Sequence, residues 1–187
     1  MYIMDPYCGW CYANSKNILE LSKTYEIEII PAGMWADINA RTTKETKDFI
    51  TKGSRIVTAK TGVQFTTNYF NLFDQNINFN SEIPSRAINT IKEILKDKTN
   101  QKIVEFTHEI FISHYFKGKD LNQIEIYKEI CDKLNINKED FKKEFNSETQ
   151  KHNTQTEFNR AYQLAKKISN LNRSLRKWKH RISRRKF

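Results

Sequence analysis

The start of the chain switches between two periodicities, and this pattern constrains the fold more than any other feature. Residues 1–5 predict a short strand, which Pro6 interrupts, and residues 10–24 have the apolar spacing of a helix. Residues 26–32 alternate in polarity and are rich in Ile, as a second strand would be. A strand, a helix and a strand in so few residues form a βαβ unit, whose two strands run parallel. The sequence therefore predicts an α/β protein.

Two cysteines, Cys8 and Cys11, lie in a Cys-Gly-Trp-Cys motif where the first predicted strand meets the helix. The free N–H groups and the dipole of a helix N-terminus favour a thiolate at Cys8. Such positions lower the pKa of a cysteine from about 8.5 into the range of about 3.5–7.5. The thiolate is the attacking species in disulfide exchange. Because Cys11 follows within one helical turn, the motif indicates a redox pair in which Cys8 attacks and Cys11 resolves the mixed disulfide.

Two other interpretations of this pair remain open. A zinc site needs four ligands, and the remaining cysteine and histidines show no paired ligand spacing. A purely structural disulfide would close a single turn and would add little stability. Both alternatives are therefore weaker than redox chemistry. The residues considered as further zinc ligands are Cys131, His108, His114, His152 and His180.

The rest of the chain is predicted to be mostly helical, since it contains only 5 Gly and 3 Pro in all. Residues 43–61 suit a helix that ends at Gly62. Residues 80–84, Asn-Ser-Glu-Ile-Pro, have the capping residue, the acidic residue and the proline of a helix start. A last helix is predicted to begin near Gln155. These elements predict a large helical region after the βαβ unit.

Several classes of protein are excluded by composition. No stretch approaches the roughly 20 apolar residues that cross a bilayer, and no cationic segment precedes an apolar run as in a signal peptide. The 3 cysteines in 187 residues do not make a disulfide scaffold. We therefore expect a cytoplasmic protein. Because glutathione keeps most thiols reduced there, a reductase or isomerase direction is expected.

The formal net charge of +10 is concentrated at the C-terminal end. Eleven of the 32 basic residues lie in residues 160–187, which contain no acidic residue. Residues 1–159 contain the other 21 basic residues and all 22 acidic residues, so this part of the chain is nearly neutral. A basic amphipathic helix can bind a membrane or a nucleic acid. The alternative to redox chemistry is that the protein is a truncated, non-catalytic remnant. Its tail, residues 169–187, would then bind such an anionic surface. The apolar stripe of this predicted helix consists of Ile168, Leu171, Leu175, Trp178 and Ile182.

The segment from Met4 to Tyr12, Met-Asp-Pro-Tyr-Cys-Gly-Trp-Cys-Tyr, resembles the active-site segment of the DsbA-like branch of the thioredoxin superfamily, in particular its FrnE-like cytoplasmic members. Residues 29–34, 80–87 and 114–121 are also similar to that family, and the resemblance covers residues 1–168. It implies a thioredoxin-like core interrupted by a large α-helical insertion, and a thiol–disulfide oxidoreductase without metal or organic cofactor. The electrons would pass through the Cys8–Cys11 dithiol to protein or small-molecule thiols and disulfides.

The resemblance gives an expected domain organisation. Residues 1–39 would form the N-terminal βαβ part of the core, and residues 40–154 the helical insertion. Residues 155–187 would form a core helix that continues into the basic tail.

The sequence departs from the family after residue 168. Members continue with a loop that carries a cis-proline, then two strands and a helix, but this sequence has only Pro6, Pro31 and Pro84. Only two parallel strands of the core sheet are evident in the sequence, so the predicted core is incomplete. Because the cis-proline loop is missing, enzymatic activity does not follow from the resemblance alone. The abrupt change of composition motivates the hypothesis that the gene is truncated or frame-shifted near codon 169.

The motif also suggests residues that contact substrate. Trp10 is expected to be exposed between the two cysteines and to offer an apolar contact, and Pro6 is expected to contact substrate beside it. Asp5 either perturbs the thiol pKa or relays a proton, or else it caps the turn before the helix, which is the favoured interpretation. Cys131, on an apolar helical stripe, is expected to be a buried free thiol, with a third redox role as the alternative.

Aromatic residues of the helical region allow two interpretations. They are expected to pack in the core of that region, and the alternative is a peptide-binding surface near the cysteines. His114 is expected to end a packed helix rather than to form a site. The aromatic residues concerned are Phe65, Tyr69, Phe70, Phe73 and Phe79.

Overall fold

The computed structural model describes the backbone of residues 1–183 and the side chains of residues 1–170. It begins with the predicted βαβ unit: strand β1 (Tyr2–Met4), helix α1 (Gly9–Leu21) and strand β2 (Ile29–Pro31). The strands pair in parallel, with Tyr2 opposite Ile29 and Met4 opposite Pro31. The parallel prediction is therefore confirmed, although both strands are shorter than the sequence pattern suggested.

Helices make up most of the remaining chain. A second pair of strands, β3 (Arg41–Thr42) and β4 (Asn78–Phe79), lies between them and is antiparallel. The sequence did not predict this pair, because strands of two residues are too short to show alternation. The helices are α2 (Thr43–Thr61), α3 (Thr67–Asn71), α4 (Glu82–Leu95), α5 (Gln101–Phe111), α6 (Ile124–Lys133), α7 (Lys138–Phe145) and α8 (Glu148–Ser183), with a π-helical turn over Ile112–Phe116 after α5.

Helix α2 has the bounds that its capping residues dictate. Thr42 accepts a hydrogen bond from the Glu45 backbone N–H, and the Glu45 carboxylate accepts one from the Thr42 N–H, which is a capping box. At the other end Gly62 adopts a left-handed conformation with φ of 76°, where other residues are strained. This helix was predicted correctly at both ends.

Helix α4 begins as predicted, but its capping differs in detail. The Asn80 side chain accepts a hydrogen bond from the Glu82 N–H at 3.0 Å, so Asn80 supplies the capping oxygen. The Ser81 hydroxyl points instead to the first strand, where it donates to Asp5 at 3.0 Å. The start of α4 is thereby attached to the end of β1.

Helix α8 begins at Glu148 rather than near Gln155, which corrects the prediction. The Ser147 hydroxyl accepts from the Gln150 N–H at 3.1 Å and starts the helix. Gln150 and Thr154 are buried in the first two turns. Because these buried side chains are polar, the sequence shows no apolar periodicity there, and the start of the helix was missed. The predicted apolar stripe of the basic tail, and its binding to an anionic surface, depend mainly on the side chains of residues 171–187. These side chains lie outside the described part of the chain.

Helix α8 is fixed against β2 and α4. Phe158 is buried against Gly33, where an added Cβ would lie 2.6 Å from the Phe158 ring, so only glycine fits. Arg160 donates to both oxygens of Glu28 at 2.6 and 2.8 Å. This bidentate ion pair and the glycine contact close the helix over the βαβ unit. No helix in the described part of the chain is both long and apolar enough to cross a membrane.

Candidate active site at the start of helix α1

Cys8 occupies the N-cap position of α1. Its backbone is extended, with φ of −88° and ψ of 107°, and its N–H donates to the Asp5 carbonyl at 3.0 Å. The Cys8 sulfur accepts a hydrogen bond from the Cys11 backbone N–H at 3.3 Å. The sulfur therefore takes the place that a serine or aspartate oxygen takes in an ordinary N-cap, at the positive end of the helix dipole.

The pKa values of the two cysteines are shifted in opposite directions. The Cys11 thiol donates to the Cys8 sulfur, and together with the Cys11 N–H this lowers the pKa of Cys8 to about 7, against the opposing effect of burial. The same hydrogen bond, with burial, raises the pKa of Cys11 well above its ordinary value. Near neutral pH a substantial fraction of the pair therefore carries a negative charge on Cys8, while Cys11 keeps its proton.

Tyr2 is a member of the site that the sequence analysis missed. Burial and the charge of the neighbouring Cys11 raise the pKa of Tyr2, and the hydrogen bond between its hydroxyl and the Cys11 thiol slightly opposes the rise in the pKa of Cys11. Tyr2 lies on β1 and Cys11 in the first turn of α1. The sequence pattern carries no signal for this contact, because it depends on how α1 packs on the strand.

Asp5 connects three segments around the cysteine pair. It is buried, and its carboxylate accepts from the Tyr7 N–H at 2.9 Å, the Met34 N–H at 2.6 Å and the Ser81 hydroxyl at 3.0 Å. Burial raises the pKa of Asp5, and its charge in turn raises the pKa of Cys8. Both oxygens are occupied by protein donors, so the geometry favours the capping interpretation over a proton relay.

An apolar cleft of about 170 Å³ opens beside the Cys8 sulfur. Trp10 lines it and is 52% exposed, in the position expected of a substrate contact. Pro6 is buried and is not among the residues that line the cleft, and its expected contact with substrate stays a prediction. The other lining residues are Tyr7, Gly9, Met34, Trp35, Phe49, Ile50, Gly53, Ser54, Val57, Phe65, Tyr69 and Tyr115.

The aromatic residues of the helical region pack mainly in the core, as expected. Tyr69, Phe73 and Phe79 are buried there, and Phe65 and Tyr69 also line the cleft beside Cys8, so a peptide-binding surface stays a prediction. His114 is fully buried among aromatic rings, with its Nδ1 at 3.1 Å from the Lys119 carbonyl oxygen. Burial lowers the pKa of His114 to about 4, so the ring is neutral and packs as part of the core.

Cys131, the third cysteine, does not belong to this arrangement. Cys131 is buried on α6, and burial raises its pKa to about 12, as expected of an inert free thiol. Within the described residues, no group of three or more His, Cys, Asp or Glu side chains is arranged to hold a metal ion.

The fold resembles that of solved structures whose names describe disulfide exchange. No protein-family model and no curated protein matches the sequence. A solved "putative protein disulfide isomerase" from Nitrosomonas europaea superposes with a TM-score of 0.70 and 24% identity, over 88% of this chain and 78% of that one. The cytosolic disulfide reductase DsbM from Pseudomonas aeruginosa gives a TM-score of 0.73 and 20% identity, over 90% of this chain and 78% of that one.

A second structure of DsbM, solved with GSH, gives a TM-score of 0.72 and 20% identity, over 90% of this chain and 79% of that one. These likenesses establish the fold. The chain is an α/β protein with a thioredoxin-like core and a large α-helical insertion, as predicted.

Proposed function

We propose that this protein is a thiol–disulfide oxidoreductase that uses Cys8 as nucleophile and Cys11 as resolving thiol. The observation that carries the proposal is the placement of the Cys8 sulfur at the N-cap of α1, where it accepts the Cys11 N–H at 3.3 Å and opens onto a cleft. A sulfur held there is ionised to a substantial extent at neutral pH and can attack a disulfide that enters the cleft.

The first step joins Cys8 to the substrate. The Cys8 thiolate attacks one sulfur of a substrate disulfide, a new S–S bond forms, and the other substrate sulfur leaves as a thiolate. The Cys11 thiol then no longer faces an anion, and the hydrogen bond that held its proton is lost. The Tyr2 hydroxyl remains to stabilise a thiolate at Cys11.

The second step releases the substrate. Cys11 loses its proton to the departing thiolate or to water and attacks the Cys8 sulfur, which forms the Cys8–Cys11 disulfide and frees the second substrate thiol. Two electrons have then passed from the protein to the substrate, and an external dithiol must restore them. The reverse sequence oxidises a substrate dithiol.

Membership of the DsbA family and its FrnE-like branch belongs to this proposal, as does the prediction that no further cofactor is required. The expected cytoplasmic location and reductase or isomerase direction also stay predictions. DsbM is described as cytosolic and as a disulfide reductase, and both properties agree with them.

The acidity of Cys8 gives a direct prediction. Its rate of alkylation by iodoacetamide in the reduced protein is expected to follow a midpoint near the pKa of about 7, rather than the value of about 8.5 of a free cysteine. The alkylated residue is identified by mass spectrometry after a short pulse at each pH. An ordinary midpoint near 8.5 for Cys8 would contradict the proposal.

Activity is tested by reduction of insulin with dithiothreitol. The protein is expected to accelerate the reaction several-fold over dithiothreitol alone, measured by the turbidity of the precipitating chains. A circular dichroism spectrum of the same sample shows whether it is folded. Failure of a folded sample to accelerate the reaction refutes the proposed activity for this chain.

A further inference from the structure

A polar groove of about 490 Å³ lies where α4 packs against α8. It shares no lining residue with the cleft beside Cys8, and all of its own lining residues are polar or charged. Pockets that bind small molecules have volumes of about 300–1,000 Å³, so this groove is large enough for a small ligand. The groove is distinct from the cysteine pair and has no part in the proposed function.

Two buried amide side chains line the groove and are incompletely hydrogen-bonded. Asn89 on α4 is 7% exposed, and Gln150 on α8 is 1% exposed. Within the described part of the chain, the Asn89 Oδ1 and the Gln150 Nε2 have no hydrogen-bond partner. Buried polar atoms are almost always paired, and an unpaired one is costly. A free acceptor and a free donor are therefore available to a ligand in the groove.

Thr154 determines which atom of Asn89 is free. The Thr154 hydroxyl donates to the Gln150 backbone carbonyl at 2.9 Å, so its oxygen can only accept from Asn89. The Asn89 Nδ2 donates to that oxygen at 3.4 Å, which leaves the Asn89 Oδ1 unpaired. On the same turn of α8, the Asn153 Nδ2 donates to the Gln150 Oε1 at 3.3 Å, which leaves the Gln150 Nε2 unpaired. The unpaired acceptor and donor thus lie beside the same turn of α8.

Lys92 is a buried cation with a weak ion pair. Its side chain is 8% exposed, and its Nζ lies 3.5 Å from the Glu157 carboxylate. Arg160 lies closer to the same carboxylate, at 3.0 Å. Burial lowers the pKa of Lys92, whereas Glu157 raises it. Because a buried charge is costly unless it is well paired, a ligand carboxylate at Lys92 would be favourable.

The charges around the groove have both signs. The exposed residues Glu93, Lys96 and Lys98 line it together with Lys92 and Glu157. The last turn of α4 also ends here, and the negative end of its dipole disfavours an isolated anion. The groove therefore suits a molecule that carries a carboxylate and an ammonium group together.

We propose that this groove binds a small zwitterion of the amino-acid class. Its carboxylate accepts hydrogen bonds from the Gln150 Nε2 and the Lys92 Nζ, and its ammonium group donates to the Asn89 Oδ1. Hydrogen bonds that involve charged groups are stronger than neutral ones. The volume leaves room for a polar side chain of the ligand, beside Asn153 and Thr156.

The test is isothermal titration calorimetry of the full chain with L-glutamine, L-glutamate and L-lysine. At least one of them is expected to bind with a Kd below about 1 mM. The N-acetyl derivative of the amino acid that binds lacks the ammonium group, and its α-amide lacks the carboxylate. Each derivative is expected to bind about tenfold more weakly or worse, as is sodium phosphate, because each satisfies only part of the groove.

The variant Gln150→Met removes the free donor and is expected to weaken binding of the same amino acid about tenfold. Methionine is similar in size and removes an unpaired buried atom, so the melting temperature of the ligand-free protein is not expected to fall. Lys92→Met is a second variant with the same expected loss, since Arg160 still pairs with Glu157. Gln155→Met, at an exposed position on α8 outside the groove, is the matched control and is expected to leave the Kd unchanged.

The outcomes separate this inference from the proposed function. Failure of all three amino acids to bind the folded protein overturns the inference, as does equally tight binding of either derivative or of phosphate. An unchanged Kd in both Gln150→Met and Lys92→Met overturns it as well. Each of these results leaves the oxidoreductase standing, because insulin reduction tests the cysteine pair and not this groove.

Discussion

Serine in place of Cys8 is expected to abolish the several-fold acceleration of insulin reduction, so that the rate falls to that of dithiothreitol alone. The hydroxyl is not ionised near neutral pH and cannot form a mixed disulfide. The variant Cys11→Ser is expected to act differently, because the introduced hydroxyl can still donate to the Cys8 sulfur. That variant retains the first step and accumulates a Cys8–substrate mixed disulfide, which mass spectrometry detects.

The matched control for both variants is Cys131→Ser, which changes a cysteine that is buried on α6 and does not line the cleft. It is expected to leave the rate of insulin reduction unchanged. A mixed disulfide through Cys11 in the Cys8→Ser protein would reverse the assigned roles, and full activity of that variant would exclude the proposed chemistry.

The parts of the fold that could be predicted are those that local sequence determines. The βαβ unit follows from the change between period two and helical spacing, and α2 from Thr42, Glu45 and Gly62 at its ends. The fold class was also predictable, since the segment around Cys8 resembles a known family. In each case the information lies within a few residues of the element concerned.

The errors have a common cause in tertiary packing. The start of α8 was placed too late because Gln150 and Thr154 are polar but buried against other helices. Strands β3 and β4 form only because chain segments far apart in sequence meet: the Thr43 N–H donates to the Ile77 carbonyl at 2.8 Å. Local patterns do not contain such contacts.

In the candidate site, too, the sequence predicts some of the residues and misses those that only tertiary packing brings together. The reactive pair, Cys8 and Cys11, is evident from its spacing and from its place at a helix start. Tyr2 and the α2 wall of the cleft were missed, because only the folded chain brings them to the sulfur. Pro6, which was predicted to contact substrate from its place beside the motif, is buried, a property that its neighbours in sequence do not reveal.

Replacement of Asp5 is expected to destabilise the fold strongly. It accepts hydrogen bonds from the Tyr7 N–H, the Met34 N–H and the Ser81 hydroxyl, and it is 3% exposed. Asp5→Ala leaves these donors buried without an acceptor, at about 1–3 kcal/mol for each unpaired group. We expect the free energy of unfolding to fall by about 3–5 kcal/mol, measured by urea denaturation of the reduced protein.

The variant Asp5→Asn separates the structural role of Asp5 from its electrostatic effect on the site. The amide keeps one accepting oxygen, so it is expected to lose less stability than alanine. It also removes the negative charge that raises the pKa of Cys8, so the alkylation midpoint of Cys8 is expected to move below that of the unmodified protein. Asp48→Ala, at an exposed position on α2, is the control and is expected to change neither quantity. An Asp5→Ala protein as stable as the unmodified one would show that the three hydrogen bonds do not hold the active-site turn.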